Sequence, residues 1–205
     1  MNPTRTGALC SARFSLPLVA ALALIALVGC GAGAKPAPPP PCDQSCQDGI
    51  ALHGLRLAMK FAFNLTVMGQ DVGPQDKSQP CLPSADAGIG SVHVFGNATS
   101  NADQGTSFLD LSYDFRNCFY PMAPDATADQ NFSITLTGLV TENGSLAQQP
   151  SSTTALEIGS DSVTLTGTVY DPPLAYAASN CVLAVGQNGN AVAGTLCGRA
   201  AGFMF

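Results

Sequence analysis

The spacing of apolar residues predicts one long helix near the start of the folded region. Between Asp43 and Gln70, apolar residues recur at helical spacing and cover most of the circumference. They are Ile50, Leu52, Gly54, Leu55, Leu57, Ala58, Met59, Phe61, Ala62, Phe63 and Leu65. The remaining narrow polar arc consists of His53, Arg56, Lys60 and Asn64. A helix that is apolar on so many sides is buried on several of them, so we expect it to lie inside a concave surface.

The next segment, residues 71–90, has neither helical nor alternating periodicity. It is polar, contains Pro74, Pro80 and Pro83, and carries Cys81. A loop of this length in a compact domain is normally held in place by a cross-link or by packing contacts. We therefore predict a loop that a disulfide at Cys81 fastens to the rest of the domain.

From residue 91 onward the period changes to two, which predicts β-strands. In residues 109–116, apolar and polar side chains alternate strictly. Gly96, Gly138 and Gly167 lie at equivalent places in three similar segments, on the apolar face of each. Glycine inside a strand marks a bend or a close backbone approach, so these positions predict a strongly curved sheet.

Turn signals separate these strands without an intervening helical pattern. They lie at Asn143-Gly144, Gly159-Ser160-Asp161, Asp171-Pro172-Pro173 and Asn188-Gly189. Short turns favour antiparallel hairpins. The predicted fold is α+β: an N-terminal helix packed in a curved antiparallel β-sheet of about six or seven strands, stabilised by disulfides. The alternative is a closed β-barrel of about eight strands.

Residues 1–30 have the parts of a bacterial export signal. Arg5 and Arg13 precede an apolar stretch, residues 16–28, which contains Pro17 and is too short to span a bilayer as a helix. The stretch ends in Leu27-Val28-Gly29-Cys30. That tetrapeptide resembles the lipobox of bacterial lipoproteins at every position, and the resemblance covers residues 1–30 only. A plain transmembrane anchor and an ordinary secretory signal are the alternatives.

The resemblance implies both a lipid anchor and the membrane to which the protein is sorted. Residues 1–29 would be removed, and Cys30 would begin the mature chain, with acyl chains such as palmitate on its sulfur and its amine. More than one acyl chain holds a protein stably on a membrane. No Asp follows Cys30, and the resemblance then implies the outer membrane of a diderm bacterium. Residues 30–41, rich in Gly, Ala and Pro, would form a tether, and residues 42–205 a single folded exported domain.

Cysteine usage agrees with export. Of the eight cysteines, Cys10 would leave with the signal and Cys30 would carry lipid. The others are disulfide candidates: Cys42, Cys46, Cys81, Cys118, Cys181 and Cys197. A three-residue loop at Asn188-Gly189-Asn190 would place Cys181 opposite Cys197 across a hairpin, while the other pairings stay open. The spacing of Cys42 and Cys46 is not that of a thioredoxin-like motif, and neither a paired His nor a second Cys-x₂-Cys accompanies these cysteines, so we predict no metal site.

Charge and motifs exclude several functions. Removal of Arg5 and Arg13 leaves six basic residues against fourteen acidic ones, a net charge of −8 without a basic cluster, which argues against nucleic acid as a partner. Asp110 and Asp114 share one face of a strand but lie about 13 Å apart, too far for a catalytic carboxylate pair. His93 is expected to point outward from a strand. We therefore predict no cofactor and no catalytic residue.

Two main hypotheses of function remain; an enzyme is a third, which would require convergent polar groups with perturbed pKa values that the sequence does not indicate. The first is a membrane-anchored envelope lipoprotein with a non-catalytic binding or structural domain, whose partner is an envelope protein or a polymer. The second is a carrier of an apolar ligand in a cavity between sheet and helix. An apolar cavity of several hundred Å³ would favour the carrier, and a solid core would exclude it. The arc of His53, Arg56, Lys60 and Asn64 could bind an anion, although contact with water or acidic loops is the simpler interpretation.

Overall fold

The computed structural model describes residues 41–81, 90–121 and 130–205, which contain one α-helix followed by eight strands. The helix α1 spans Gln44–Thr66, and the strands are β1 Gly73–Pro80, β2 Ser91–Asn101, β3 Thr106–Pro121, β4 Phe132–Ala147, β5 Ala155–Val169, β6 Leu174–Asn188, β7 Ala191–Leu196 and β8 Arg199–Met204. A short 3-10 helix, Ala102–Gln104, lies between β2 and β3. Residues 1–40, which include the predicted signal segment, Cys30 and nearly all of the predicted tether, lie outside the described residues.

The strands form one antiparallel sheet in the order β1 to β8, each paired with its neighbour in the chain. Within the described residues β1 does not pair with β8, so the sheet is open. The prediction of a helix packed on an antiparallel sheet, stabilised by disulfides, is therefore confirmed. The predicted number of about six or seven strands was wrong, since the described residues form eight, and the alternative of a closed barrel was also wrong.

The strand that the sequence pattern did not indicate is β1, which lies in the segment predicted to be a loop. Only Gln75 among its eight residues is buried, so no alternation of apolar residues indicates a strand. Pro74 and Pro80 are tolerated because β1 is an edge strand. The prolines and the polar side chains also protect this edge against pairing with another chain.

Two of the predicted turns are bends within long strands. Asn143 and Gly144 lie inside β4, and residues 159–161 lie inside β5 next to a shift of register. Gly144 has a φ of 128°, and a Cβ there would lie 2.3 Å from the carbonyl oxygen of Ala155 on β5. The glycine therefore lets the strand bend without ending. The turns predicted at residues 171–173 and 188–189 are confirmed, since they connect β5 to β6 and β6 to β7.

The sheet curves around α1, as contacts of a single helix residue show. The ring of His53 lies 6.2 Å from that of Phe132 on β4 and 4.8 Å from that of Phe203 on β8, between centroids. In a flat sheet these strands would be about 19 Å apart, at about 4.8 Å per strand. They reach one residue because the sheet curls over the helix. Gly167 permits such curvature, since its φ is 145° and a Cβ would lie 2.1 Å from the Ser133 carbonyl oxygen.

The curved sheet buries more of α1 than the sequence indicated. His53 and Arg56, expected on the polar arc and in contact with water or acidic loops, are both buried. Burial lowers the pKa of the His53 imidazole, which lies among aromatic rings. Lys60 and Asn64 are exposed. The polar arc is therefore solvated only in the second half of the helix.

The helix ends at Thr66, before the predicted end at Gln70. The backbone N–H groups of Val67 and Met68 both donate to the carbonyl oxygen of Phe63, at 2.9 and 3.1 Å. This closes the last turn and leads the chain out of the helix. The segment that follows, residues 67–72, runs across the end of α1 and forms part of the site described below.

Three disulfides stabilise the domain: Cys42–Cys46, Cys81–Cys118 and Cys181–Cys197. The first closes a short loop at the start of α1, the second fastens the end of β1 to β3, and the third joins β6 to the residue after β7. The turn between β6 and β7 contains two residues, Gly189 and Asn190, and not the predicted three. Cys197 reaches Cys181 because it lies just beyond β7 with a φ of 54°.

Candidate functional site

A cavity of about 610 Å³ lies at the carboxyl end of α1. Its walls come from the last turns of α1, from the segment 67–72, and from parts of β2, β3, β4 and β6. This volume falls within the range of small-molecule sites. The helix fills the concave side of the sheet over its first half and leaves this space open where it ends.

The floor of the cavity is a buried polar network that links α1 to the sheet. Arg56 on α1 forms an ion pair with Glu142 on β4 (Nη1 to Oε1, 3.0 Å) and donates from Nε to Oε1 of Gln187 on β6 (2.8 Å). Tyr113 on β3 donates its hydroxyl to the other carboxylate oxygen of Glu142. The side chains of Arg56 and Glu142 are only 8% and 2% exposed. The two charges therefore compensate each other away from bulk water.

Tyr113 acts in this network as a hydrogen-bond donor. Burial raises the pKa of Tyr113 well above its usual value, and the negative charge of Glu142 raises it further. The phenol is therefore protonated at neutral pH. Gln187 is held by a second hydrogen bond, from its Nε2 to the Gly189 carbonyl oxygen at 2.9 Å. Because the members satisfy one another, the network is typical of a structural floor and not of a catalytic acid or base.

One ridge of α1 forms a wall of the cavity above this floor. Arg56, Lys60 and Asn64 follow one another at intervals of four residues, so their side chains lie on the same side of the helix. All of them line the cavity, whereas His53 is not among the lining residues. The structure therefore brings most of the predicted polar arc to one site.

The rim of the cavity is apolar and exposed. Met68 and Val72, from the segment after α1, are 60% and 66% exposed, and Phe205 is 45% exposed. These side chains line the cavity together with Phe63 from α1. Exposed large apolar side chains grouped around an opening are typical of ligand or partner sites. The site thus combines a polar floor with an apolar rim.

A second polar cluster lies toward the start of α1. Asp48 is fully buried and accepts two hydrogen bonds from Arg199 (2.7 and 2.8 Å), one from Tyr176 (2.8 Å) and one from Gln44 (3.0 Å). Burial by itself would raise the pKa of Asp48, but these hydrogen bonds together lower it. The cluster fastens α1 to β6 and β8, and we assign it a structural role.

We expect Asp48→Asn to lower the free energy of unfolding at neutral pH by about 1 to 3 kcal/mol, because Arg199 loses its charged acceptor. Folding lowers the pKa of Asp48, so its contribution is complete above the unfolded pKa of about 4 and is lost as pH falls through the folded pKa. Urea unfolding of both proteins at several pH values measures the difference. The difference should be constant between about pH 5 and 7 and shrink in acid.

The matched control for this experiment is Asp114→Asn, whose carboxylate pairs with Arg116 near the surface at 2.7 Å. We expect that replacement to cost less than about 1 kcal/mol. A cost for Asp48→Asn that does not change with pH would contradict the role assigned to the Asp48 charge.

The other residues singled out from the sequence do not meet at a site. His93 contacts Asp76 at 2.7 Å near the surface, Asp114 pairs with Arg116, and Asp110 is exposed. Across residues 41–81, 90–121 and 130–205, no group of three or more His, Cys, Asp or Glu side chains is placed to hold a metal ion. No helix in the same residues is both long and apolar enough to cross a membrane.

The acidic members of both polar networks were not predicted from the sequence. Glu142 lies at an inward position of β4, but the turn predicted at Asn143 ended the strand before the alternation reached it. Asp48 precedes Leu52 and Leu55 by four and seven residues, which places it on the apolar face of α1. A charged residue on an apolar face is a signal of a buried pair. Glu142 and Asp48 both lie on such a face, but the sequence does not show which basic residue pairs with each of them.

The cavity is the strongest candidate for a functional site in the part of the chain that the structure describes. It offers a satisfied polar floor, an exposed amine on its wall and an apolar rim. Comparisons with protein-family models, with curated proteins and with solved structures found no match for this chain.

Proposed function

We propose that this protein is a lipoprotein of the bacterial cell envelope that carries a non-catalytic binding domain. Cys30 bears the acyl chains that hold it to the outer membrane of a diderm bacterium, and residues 30–41 form the tether. The domain, residues 42–205, receives a ligand or partner in the cavity at the carboxyl end of α1. The observation that carries the binding role is this open cavity of about 610 Å³ with its exposed apolar rim.

Several features support the envelope location. The lipobox resemblance at Leu27-Val28-Gly29-Cys30 supplies the anchor, and the Gly/Ala/Pro-rich segment after it suits a spacer. The domain contains three disulfides. Disulfides form and persist in oxidising compartments, so they agree with a chain that is exported from the cytoplasm.

The side chains around the cavity support binding and not catalysis. Arg56, Glu142 and Tyr113 hold one another in a closed network, so none of them is poised to exchange a proton with a substrate. Lys60 is exposed on the wall, and within the described part of the chain its ammonium group forms neither a hydrogen bond nor an ion pair that would activate it. A rigid floor under an open rim is the arrangement of a receptor for a ligand.

The anchor is tested by changing its cysteine. We expect Cys30→Ser to abolish incorporation of a palmitate analogue and to release the full chain from membranes or leave it unprocessed, because each buried CH₂ of an acyl chain contributes about 0.8 kcal/mol of membrane binding. Cys10→Ser, a change within the signal, is the matched control and should alter neither property. Metabolic labelling and membrane fractionation measure both. Unchanged labelling and sedimentation of the Cys30 variant would refute the anchor.

A carrier of an apolar ligand is the second candidate, and the exposed Met68, Val72 and Phe205 favour it. Residues 50–59 of α1 are almost entirely buried against the sheet, so the ligand would not lie along the helix, between it and the sheet. It would lie beyond the last turn, in the same cavity. Recognition of a neutral apolar molecule as strongly as a charged one would distinguish this carrier from a receptor for a charged ligand.

A further inference from the structure

We propose that the cavity binds an amphipathic molecule with one negative charge, such as a medium-chain carboxylate. The anionic head lies at Lys60, and the apolar body lies against Phe63, Met68, Val72 and Phe205. This inference rests on the proposed binding role of the cavity and names the chemical class of its ligand.

Lys60 is the available cation of the domain. The structure describes five Lys and Arg residues. Four of them are engaged by a carboxylate or an amide, in the pairs Arg56–Glu142, Arg116–Asp114, Arg199–Asp48 and Lys77–Gln70. Of these five described Lys and Arg residues, Lys60 alone has neither an ion pair nor a hydrogen bond, and its side chain lines the cavity. An ammonium group beside apolar surface, with no partner of its own, attracts an anion.

The charge balance of the lining selects a ligand with a single negative charge. The cavity is lined by two cations, Arg56 and Lys60, and by two acids, Asp71 and Glu142. Arg56 and Glu142 neutralise each other in the floor at 3.0 Å. A ligand with several negative charges would therefore meet Asp71 and Glu142 without enough cations to balance them. A carboxylate fits this balance, whereas a nucleotide or another polyphosphate does not.

The apolar rim of the cavity favours a ligand whose remaining part is apolar. Phe63 follows Lys60 by three residues, so its ring and the ammonium group lie on neighbouring parts of one helix face. Met68 and Val72 extend the apolar surface outward and are mostly exposed, and Phe205, the residue after β8, adds a ring that is 45% exposed. A ligand that covers these side chains removes exposed apolar surface that would otherwise remain in water.

The test is calorimetric titration of the full lipoprotein in lipid nanodiscs, with octanoate, 1-octanol and octylammonium as probes and empty discs as the blank. We expect octanoate to bind about three- to tenfold more tightly than 1-octanol, and octylammonium not to bind. Lys60→Met should reduce the affinity for octanoate to that for 1-octanol. Arg116→Met, which removes an exposed cation elsewhere, is the matched control and should change nothing.

The apolar contact is tested separately by Met68→Ser, which should weaken octanoate and 1-octanol by the same factor. Val182→Ser is its matched control, since Val182 is 58% exposed and does not line the cavity. Equal affinities for octanoate and 1-octanol, unaffected by Lys60→Met, would overturn the ionic recognition. No binding of any probe would overturn the whole inference. Labelling of Cys30 in the same preparation shows independently whether the lipoprotein proposal fails as well.

Discussion

Glu142→Ala is expected to lower the free energy of unfolding by about 3 to 5 kcal/mol, because it leaves the Arg56 guanidinium buried without a counter-charge. The Arg56 side chain is 8% exposed, and Glu142 is its carboxylate partner at 3.0 Å. The hydroxyl of Tyr113 loses its acceptor in the same step. Urea unfolding of the oxidised protein measures the loss, with the slope of the transition checked for a change in the unfolded state.

The same chain provides a matched control for this ion pair. Arg116 and Asp114 form a pair of comparable length, 2.7 Å, but Arg116 is 68% exposed. Asp114→Ala should therefore cost less than about 1 kcal/mol. Replacing both buried partners, Arg56→Met with Glu142→Leu, should recover part of the loss, because neither charge then remains unpaired, although the Tyr113 hydroxyl and Gln187 Oε1 still lack their partners. Equal costs for Glu142→Ala and Asp114→Ala would show that the Arg56–Glu142 pair is not shielded from water.

The helix could be predicted from the sequence because its periodicity is carried by many residues at once. Apolar side chains on most of its circumference required cover on several sides, and the curved sheet supplies that cover. The exact environment of the polar arc could not be predicted in the same way. Whether Arg56 or Lys60 is buried depends on how far the sheet extends along the helix, which is a tertiary property.

The edge of the sheet was not predictable because β1 has no apolar pattern. The residues of β1 do alternate between less and more exposed positions, but every one of them is polar, Gly or Pro, so no apolar period marks the strand in the sequence. Gln75 is the single buried residue of β1. Conversely, Asn143-Gly144 has the composition of a turn but lies within β4, where the glycine bends the strand. Glycine is favoured both in turns and at bends within strands, so the sequence alone does not show which of the two Gly144 forms.

The candidate site combines one predictable part with one that depends on long-range pairing. Arg56, Lys60 and Asn64 share a helix face by spacing alone, so an anion-binding arc could be considered from the sequence. Glu142 and Gln187 reach Arg56 from β4 and β6, which lie far along the chain. Because Arg56 is paired with Glu142 and hydrogen-bonded to Gln187, its charge is not available to a ligand and it forms part of the cavity floor. Only Lys60 is left with an available charge, and no periodicity argument distinguishes these two residues.

Gly167→Ala is expected to destabilise the domain by more than about 3 kcal/mol, because the position requires glycine on two counts. Its φ is 145°, a backbone conformation that side chains with a Cβ rarely adopt, and a Cβ would lie 2.1 Å from the carbonyl oxygen of Ser133 on β4. The obstructing atom belongs to the backbone, so no side-chain rotation relieves the contact. The strands β4 and β5 must separate there, which breaks the pairing of Gly167 with Ile134.

Gly159→Ala is the matched control, since Gly159 lies in the same strand. Its φ lies outside the left-handed region, and the nearest atoms to a new Cβ would be Thr141 Oγ1 at 3.5 Å and the Leu183 carbonyl oxygen at 3.6 Å. That replacement should change the free energy of unfolding by less than about 1 kcal/mol in either direction. Urea unfolding of both variants measures the contrast. If the two replacements had equal costs, β4 and β5 would not approach each other at Gly167 closely enough to require glycine, and the curvature that encloses α1 would need another origin.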